Sequence, residues 1–229
     1  MDKKRFFTAN TLKIIALICM TCDHVGKQLL PELKILQIIG RIAFPVFAFF
    51  IAEGCKYTKD RKKYFLTIAV TALLCQMVYF AVLKSLYQCV LVTFSLSILL
   101  IYSFDDMKKK RSFKSMCVPL VLLILVYTLT DILPAVFNGT DFYIDYGFFG
   151  VLFPVAVYLF DKKYLKVISV CIVLILLSIQ IGGVQWYSLL FIPLILLYNG
   201  ERGKYKLKML FYIYYPAHLV VLYFLSLFL

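Results

Sequence analysis

Nine continuous apolar runs, each close to the length of a membrane-spanning helix, follow one another along the 229-residue chain. The hydrocarbon core of a bilayer is about 30 Å thick and is crossed by roughly 20 helical residues. The runs are unbroken rather than alternating in polarity, which favours helices over the strands of a membrane barrel. They cover residues 11–30, 35–55, 64–83, 87–104, 115–133, 143–160, 164–181, 184–198 and 208–228. The sequence therefore predicts an all-α polytopic membrane helix bundle of about nine transmembrane helices, in a single domain over residues 1–229.

The amino-acid composition excludes a water-soluble fold. Hydrophobic residues make up 63% of the chain and charged residues only 16%. Soluble domains carry about 25% charged residues, because they need a polar surface. The formal net charge of +13 would indicate nucleic-acid binding in a soluble protein. In a membrane protein, the loops in which these charges lie decide their meaning.

The basic residues are distributed very unequally between the two sides of the predicted bundle. If the N-terminus is cytoplasmic, 20 of them precede the first run or follow an even-numbered run, and three lie in loops on the other side. The three are Lys27, Lys34 and Lys84. This asymmetry predicts a cytoplasmic N-terminus and a C-terminus outside. Because the basic residues form short turns between runs rather than one patch, no nucleic-acid partner is expected.

Charged and ionisable residues inside the apolar runs are the candidates for function, because each is costly in a membrane unless it is paired or solvated. At 1.5 Å per residue, His24 in the first run and Arg41 in the second both lie about 20 Å above the cytoplasmic edge. Asp23 can be the counter-charge of Arg41 or can orient the imidazole of His24. His218 is expected near the midplane and Asp145 near the outer mouth, so the first, second, sixth and ninth runs are expected to form a polar pocket in the outer half. The layout indicates either a catalytic or proton-handling site or a structural ion pair.

A second polar set lies at the cytoplasmic ends of the runs. Glu53 ends the second run, while Asn199, Gly200 and Arg202 follow the eighth. Backbone flanked by glycine and accompanied by arginine can accept a phosphate-bearing ligand. The alternative is an ordinary turn that carries cytoplasmic positive charge.

The seven cysteines lie in or at the ends of the apolar runs and do not suggest a disulfide framework. Cys19 and Cys22 form a CxxC pair beside Asp23 and His24, which could indicate a metal site. Thiols are common packing residues in membrane helices, and no second thiol pair follows. No metal is therefore expected.

Several stretches together resemble the signature blocks of the TraX family, in the family's order from Leu12 to Leu219. They read LKIIALICMTCDH, IIGRIAFPVFAFFIAEG followed by KYTKDRKKY, then DYGFFG, LLYNGERG and FYIYYPAHL. This family is similar to the wider group of transmembrane acyltransferases. The resemblance implies a multi-pass protein of the cell membrane, which in a bacterium is the inner or cytoplasmic membrane.

The resemblance also implies a reaction and a division of labour among the residues. Acetyl-CoA, or another acyl-CoA, would enter from the cytoplasm as co-substrate. The acceptor would be a protein, peptide, glycan or lipid with an amine or hydroxyl group. His24 would be the general base or a transient acyl carrier, Asp23 would orient it, and Arg41 would neutralise charge at the thioester or hold Asp23. Glu53, Asn199, Gly200, Arg202, Tyr212, Tyr215 and His218 would line the CoA path, and Asp145 with Tyr146 the acceptor side.

Two other classes of function fit the same residues. A proton-coupled transporter or flippase also uses Asp, His and Arg inside a helix bundle. It is disfavoured because the chain shows no inverted repeat. A non-catalytic membrane assembly protein is the third interpretation. Membrane lipids are expected neighbours in every case, and a homodimer is left open.

Overall fold

A computed structural model describes residues 6–205 and 207–228, without the side chains of residues 82, 83, 208, 209, 211 and 212. All regular secondary structure in these residues is helical, so the predicted all-α class is confirmed. The helices are α1 (Ala9–Gln28), α2 (Lys34–Gly40), α3 (Ala43–Tyr57), α4 (Arg61–Leu83), α5 (Val90–Lys110), α6 (Phe113–Tyr127), α7 (Leu133–Val136), α8 (Gly147–Leu159), α9 (Lys163–Ile181), α10 (Phe191–Leu196) and α11 (Lys208–Ser226). A π-helical turn, Thr128–Ile132, joins α6 to α7, and a 3₁₀ helix, Gly183–Leu190, leads into α10.

Five helical segments of the described chain are long and apolar enough to cross a membrane. They are Lys34–Tyr57, Arg61–Ala81, Val90–Lys110, Phe113–Val136 and Lys163–Ile181. The chain is therefore a membrane protein by the length and composition of its helices. Each of the other predicted runs also contains a helix, but none of these, over its described residues, is both long enough and apolar enough to count as a membrane span. The nine-span count and the sidedness of the termini stay predictions.

The remaining helices fall short for physical reasons that differ between them. Helix α1 has 20 residues but carries Lys13, Asp23 and Lys27. Helix α8 has 13 residues, which at 1.5 Å per residue is only about 20 Å. The segment that ends in α10 begins as a 3₁₀ helix, and α11 is described with all its side chains only over Ile213–Ser226. Such segments cross a bilayer only where neighbouring protein covers their polar groups.

The chain divides into two compact units, which are described separately. The first unit comprises Met1–Phe50 and Leu174–Leu229, and the second comprises Ile51–Val173. In the first unit, α1 begins at the N-cap Thr8, whose hydroxyl accepts a hydrogen bond from the Thr11 amide at 3.2 Å. Helices α1 and α2 approach closely because Gly26 faces Leu36 without a side chain between them. This approach brings the polar residues of α1 next to those that follow α2.

The second unit packs α5 against α4, α6 and α8. The Ser97 hydroxyl of α5 donates to the carbonyl of Val151 in α8 at 2.8 Å. Charged groups gather at the ends of these helices, where Arg61 pairs with Asp105. A hydrogen bond from Lys56, in the last turn of α3, holds the pKa of the exposed Asp161 carboxyl, between α8 and α9, below its ordinary value. The charges of this unit lie largely at helix ends rather than within its buried interior.

Candidate functional site

A buried ion pair joins α1 to the turn after α2 in the first unit. Arg41 donates to one carboxylate oxygen of Asp23, and both residues are almost fully buried. Lys27 reaches the other oxygen of Asp23 at 2.7 Å from a half-exposed position. Gly40 makes the approach feasible, because a Cβ atom there would overlap Asp23. The structure therefore brings together two of the charged residues that share one predicted depth.

The guanidinium of Arg41 has further partners on two other segments. Its Nη1 donates to Oε1 of Gln185 at 3.2 Å, and its Nε donates to the carbonyl of Gln37 at 3.3 Å. Gln185 lies in the 3₁₀ helix and has no exposed surface. A planar guanidinium with several directed hydrogen bonds is held in one orientation. Asp23, Arg41 and Gln185 thus form a continuous buried polar chain.

Two histidines meet beside this chain. His218 of α11 approaches His24 of α1 with 3.4 Å between its Nε2 and the Nδ1 of His24. The two rings stand edge to face, with centroids 4.9 Å apart. The sequence placed the first and ninth runs at one polar pocket, and His218 does contact His24, 194 residues away in sequence. Its assignment to the CoA path stays a prediction.

Backbone carbonyls determine which nitrogen of each histidine carries the hydrogen. The Nδ1 atom of His24 lies 2.9 Å from the carbonyl of Met20, and that of His218 lies 3.0 Å from the carbonyl of Tyr214. A carbonyl only accepts hydrogen bonds, so both Nδ1 atoms are donors when the rings are neutral. The Nε2 atom of His24 then keeps its lone pair. An imidazole oriented through Nδ1 with a free basic Nε2 is the usual form of a general base.

Tyrosines of α11 support the histidine pair. Tyr214 stacks on the ring of His218 with the planes 12° apart, and Tyr215 meets it edge-on. The Tyr214 hydroxyl lies 2.6 Å from the Thr21 hydroxyl, which donates to the carbonyl of Leu17. Tyr214 is therefore the donor in that contact. These contacts connect α11 to α1 one turn before His24.

The loop at 199–203 lies against the first turn of α1 in the same unit. The amides of Ala9 and Asn10 donate to the carbonyls of Glu201 and Arg202, at 2.8 and 3.1 Å. The side chain of Asn199 accepts from the Glu201 amide at 2.8 Å, which closes the turn. Gly200 has a φ of +83° and open space where a side chain would stand. The loop therefore caps α1 with its backbone and leaves the side chain of Arg202 exposed.

A lysine accompanies this loop. Lys13 lies one turn into α1, and its ammonium stands 4.7 Å from the centre of the Phe50 ring. The positive charges of Lys13 and Arg202 are close enough to repel each other. Two cations beside an open glycine turn are suited to bind a phosphate group. Because Arg202 is exposed, this arrangement suits an anionic ligand that binds at the protein surface.

The remaining predicted site residues have other contacts. In the second unit, Glu53 pairs with Lys166 at 3.7 Å. The amide of Asp145 donates to the carbonyl of Gln88, and the carbonyl of Asp145 accepts from the Thr93 hydroxyl at 2.5 Å. Tyr146 begins α8 in a left-handed conformation with φ of +64°. The side chain of Tyr212 lies outside the described residues.

Two residues that bond to the buried ion pair were not predicted from the sequence. Gln185 is uncharged and lies in a run that otherwise resembles a short apolar helix. Lys27 was assigned only to an outer loop. The detectable signal was a glutamine in an apolar stretch, since an amide there needs a partner. Among the described residues, no three His, Cys, Asp or Glu side chains come together in a way that could hold a metal ion.

Fold and site together define an all-helical membrane protein with a buried carboxylate, guanidinium and amide beside a pair of histidines. The family model described as "TraX protein" matches residues 8–226. The chain belongs to the TraX family, as the sequence blocks predicted.

Two relatives show how far the similarity extends. The chain is 25% identical over 251 aligned positions to "Probable fimbrial assembly protein FimC, serogroup H1" of Dichelobacter nodosus, with 97% of each chain covered. It is 43% identical over 94 residues to "Uncharacterized protein RP591" of Rickettsia prowazekii (strain Madrid E), with 38% of each chain covered. The second similarity therefore spans well under half of that relative. No solved structure matches the chain.

Proposed function

We propose that this TraX-family protein is a membrane acyltransferase that moves an acetyl group from acetyl-CoA to an amine or hydroxyl acceptor. The observation that carries the proposal is the histidine pair beside the buried ion pair. Nδ1 of His24 donates to the carbonyl of Met20, which leaves Nε2 as a base. Asp23, the next residue in the chain, is held by Arg41. Burying ionisable side chains inside a membrane helix is energetically unfavourable, and such residues commonly mark functional sites. The oriented His24 beside the Asp23–Arg41 pair therefore supports a catalytic role.

The proposed roles follow from these positions. Nε2 of His24 removes a proton from the acceptor amine or hydroxyl as that group attacks the thioester carbon. The bond from carbon to the acceptor forms, and the bond from carbon to sulfur breaks. His24 then returns the proton to the departing sulfur, so that CoA leaves as a thiol. Asp23 favours the positive charge that His24 carries between the two transfers, and Arg41 fixes Asp23 in place.

The direction of transfer rests on the distribution of charge. With nine spans, a cytoplasmic N-terminus and an outer C-terminus, the loop at 199–203 faces the cytoplasm. Arg202 and Lys13 are then placed to receive the phosphates of CoA, while His24 lies deeper in α1. In this scheme the CoA path also includes Asn199, Gly200, Tyr215 and His218. Glu53 and Tyr212 are assigned to the same path by their sequence blocks alone.

The acceptor is proposed to be an envelope protein, peptide, glycan or lipid on the outer side. Asp145 and Tyr146 are assigned to that side by their sequence block. The relative from Dichelobacter nodosus is named as a fimbrial assembly protein and aligns over nearly its whole length. A protein subunit of a surface fibre is therefore the first acceptor to test. A bacterial inner or cytoplasmic membrane is the corresponding location.

The experiment is an assay of acetyl transfer with purified protein in nanodiscs and acetyl-labelled CoA. We expect slow release of free CoA from the native chain, faster when an acceptor is supplied. The His24→Ala variant should lose about 10²–10⁴-fold in rate, because general base catalysis contributes that much. Calorimetry should show that the same variant still binds acetyl-CoA. Absence of acetyl-CoA binding to the native chain would reject the enzyme and favour a transporter or an assembly role.

A second variant tests the entry site. Arg202→Ala should weaken acetyl-CoA binding about tenfold, since a charge-assisted hydrogen bond contributes about 1.5 kcal/mol or more. Turnover at saturating acetyl-CoA should be unchanged. Lys204→Ala, at the exposed residue that follows this loop, is the matched control. If both variants bind acetyl-CoA like the native chain, the phosphates are received elsewhere.

A further inference from the structure

Two buried polar atoms of the 3₁₀ helix lack a hydrogen-bond partner. They are Nε2 of Gln185 and Oγ of Ser188, and neither residue has any exposed surface. Buried polar atoms are nearly always satisfied, because an unmade hydrogen bond in a dry interior is unfavourable. Two such atoms only three residues apart are therefore unusual. They indicate a position at which a ligand oxygen could accept the hydrogen bonds that these two atoms leave unmade.

Both atoms belong to one face of their helix. A 3₁₀ helix has three residues per turn, so side chains three positions apart are eclipsed. Gln185 and Ser188 stand in that relation within Gly183–Leu190. We call their two free polar groups the donor notch. It is an extension of the buried chain from Asp23 through Arg41.

The orientation of the Gln185 amide follows from its neighbour. Nη1 of Arg41 is a donor and lies 3.2 Å from Oε1 of Gln185. The reverse orientation would set two donors against each other, so the amide nitrogen must point away from Arg41. The N–H groups of Gln185 are thereby left as donors. Ser188 adds a hydroxyl that can also donate.

The chemistry of the donor notch selects its ligand. Its groups are neutral, and the amide N–H groups of Gln185 can only donate, so they do not bind a cation. The charge of Arg41 is already compensated by Asp23, which also bonds to Lys27. A neutral oxygen that becomes negative during a reaction is the best complement to such a site. A fully charged phosphate is better matched by the exposed cations near Gly200.

We propose that Gln185 and Ser188 bind the thioester carbonyl oxygen of the acyl donor and stabilise the negative charge that develops on it. This rests on the acyltransferase function proposed above. As the acceptor attacks, the electron pair of the C=O bond moves onto the oxygen, which the two donors hold. The pair returns as the carbon–sulfur bond breaks. The proton still travels from the acceptor through His24 to sulfur, so the donor notch exchanges no proton.

Infrared spectroscopy of the bound carbonyl tests the assignment. The probe is acetyl-CoA with ¹³C at the acetyl carbonyl, bound to the His24→Ala variant so that it is not consumed. Hydrogen bonds weaken the C=O bond and lower its stretching frequency. Adding Ser188→Ala or Gln185→Met should therefore raise the frequency. In the otherwise native chain, either change should lower kcat by about 10²-fold with little change in KM, as for other donors to a developing oxyanion.

Ser97→Ala is the matched control, because Ser97 is equally buried but bonds to the carbonyls of Thr93 and Val151. It should leave the carbonyl frequency and kcat unchanged. If acetyl-CoA binds but neither donor variant moves its band, the donor notch does not hold the thioester, and the acyltransferase proposal survives. If acetyl-CoA does not bind at all, both proposals fall. Should Gln185→Met fail to fold, Ser188→Ala decides alone, since it removes no hydrogen bond that the structure contains.

Discussion

Two arginines, one in each unit, illustrate two uses of charge in this protein. Arg41 pairs with Asp23 and Gln185, and its side chain is 8% exposed. Arg61 pairs with Asp105 and Asp106, and its side chain is 35% exposed. Both have carboxylate partners and similar geometry. What differs is the amount of water that the charges have lost.

This difference in burial separates a structural pair from a candidate site. An exposed pair contributes about 0–1 kcal/mol, and Arg61 has the ordinary role of a cation at a helix end. A buried pair gives little net stability compared with apolar residues of the same size. Stability alone therefore does not explain Arg41 and Asp23. Asp23 is the residue before His24, and Arg41 donates a hydrogen bond to Gln185. These neighbours give a chemical reason for burying the pair.

The largest expected effect on stability comes from removing Arg41, and removing Arg61 is the comparison. Arg41→Leu should destabilise the protein by about 3 kcal/mol or more, because Asp23 is left buried with only Lys27 as partner. Arg61→Leu should change stability by at most about 1 kcal/mol. Thermal unfolding in detergent measures both. Leucine at both Asp23 and Arg41 should recover most of the loss.

Equal losses from the two arginine variants would overturn this contrast. They would mean that Arg61 is as much a part of a packed interior as Arg41. The buried ion pair would then need no functional explanation.

A smaller effect separates two buried serines. Ser188→Ala should leave the stability of the ligand-free protein unchanged or slightly higher, because the lost hydroxyl has no partner. Ser97→Ala should cost about 1 kcal/mol, because it removes a hydroxyl that donates to the backbone carbonyls of Thr93 and Val151. Unfolding midpoints measured without and with acetyl-CoA make the comparison. A clear loss of ligand-free stability in Ser188→Ala would show that its hydroxyl is already satisfied.

The sequence predicted the helical class because unbroken apolar runs have few other solutions in a membrane. It also indicated the pairing of Asp23 with Arg41, since the depth of a residue in a spanning helix follows from its position. The number of spans was less accessible, because helices such as α8 depend on neighbours that composition does not reveal.

Other parts of the site depended on tertiary contacts that a pattern cannot supply. His218 lies 194 positions from His24. Their estimated depths place both at one pocket, but no pattern in either run predicts that the two rings touch. Gln185 carries no charge, so it did not attract attention as a buried ion would. Its importance comes from the orientation of Arg41, which only the folded chain defines. Arg202 was recognised by its glycine-rich context, while the capping of α1 by its carbonyl was not.

The most direct test compares two carboxylates, one in each unit, by the rate of a single turnover of acetyl-CoA. Asp23→Asn keeps the shape of the residue beside His24 but removes the charge that stabilises the protonated imidazole. The corresponding change in the second unit is Asp105→Asn, next to Arg61. Both variants should be compared at matched acetyl-CoA occupancy, with unfolding midpoints measured alongside.

We expect Asp23→Asn to slow the single turnover by about 10²-fold or more, while Asp105→Asn stays within about twofold of the native rate. A native rate in a folded, acetyl-CoA-bound Asp23→Asn protein would contradict a catalytic role for the buried ion pair. So would an equal loss in both variants, because the buried chain of the first unit would then have no special part in the reaction.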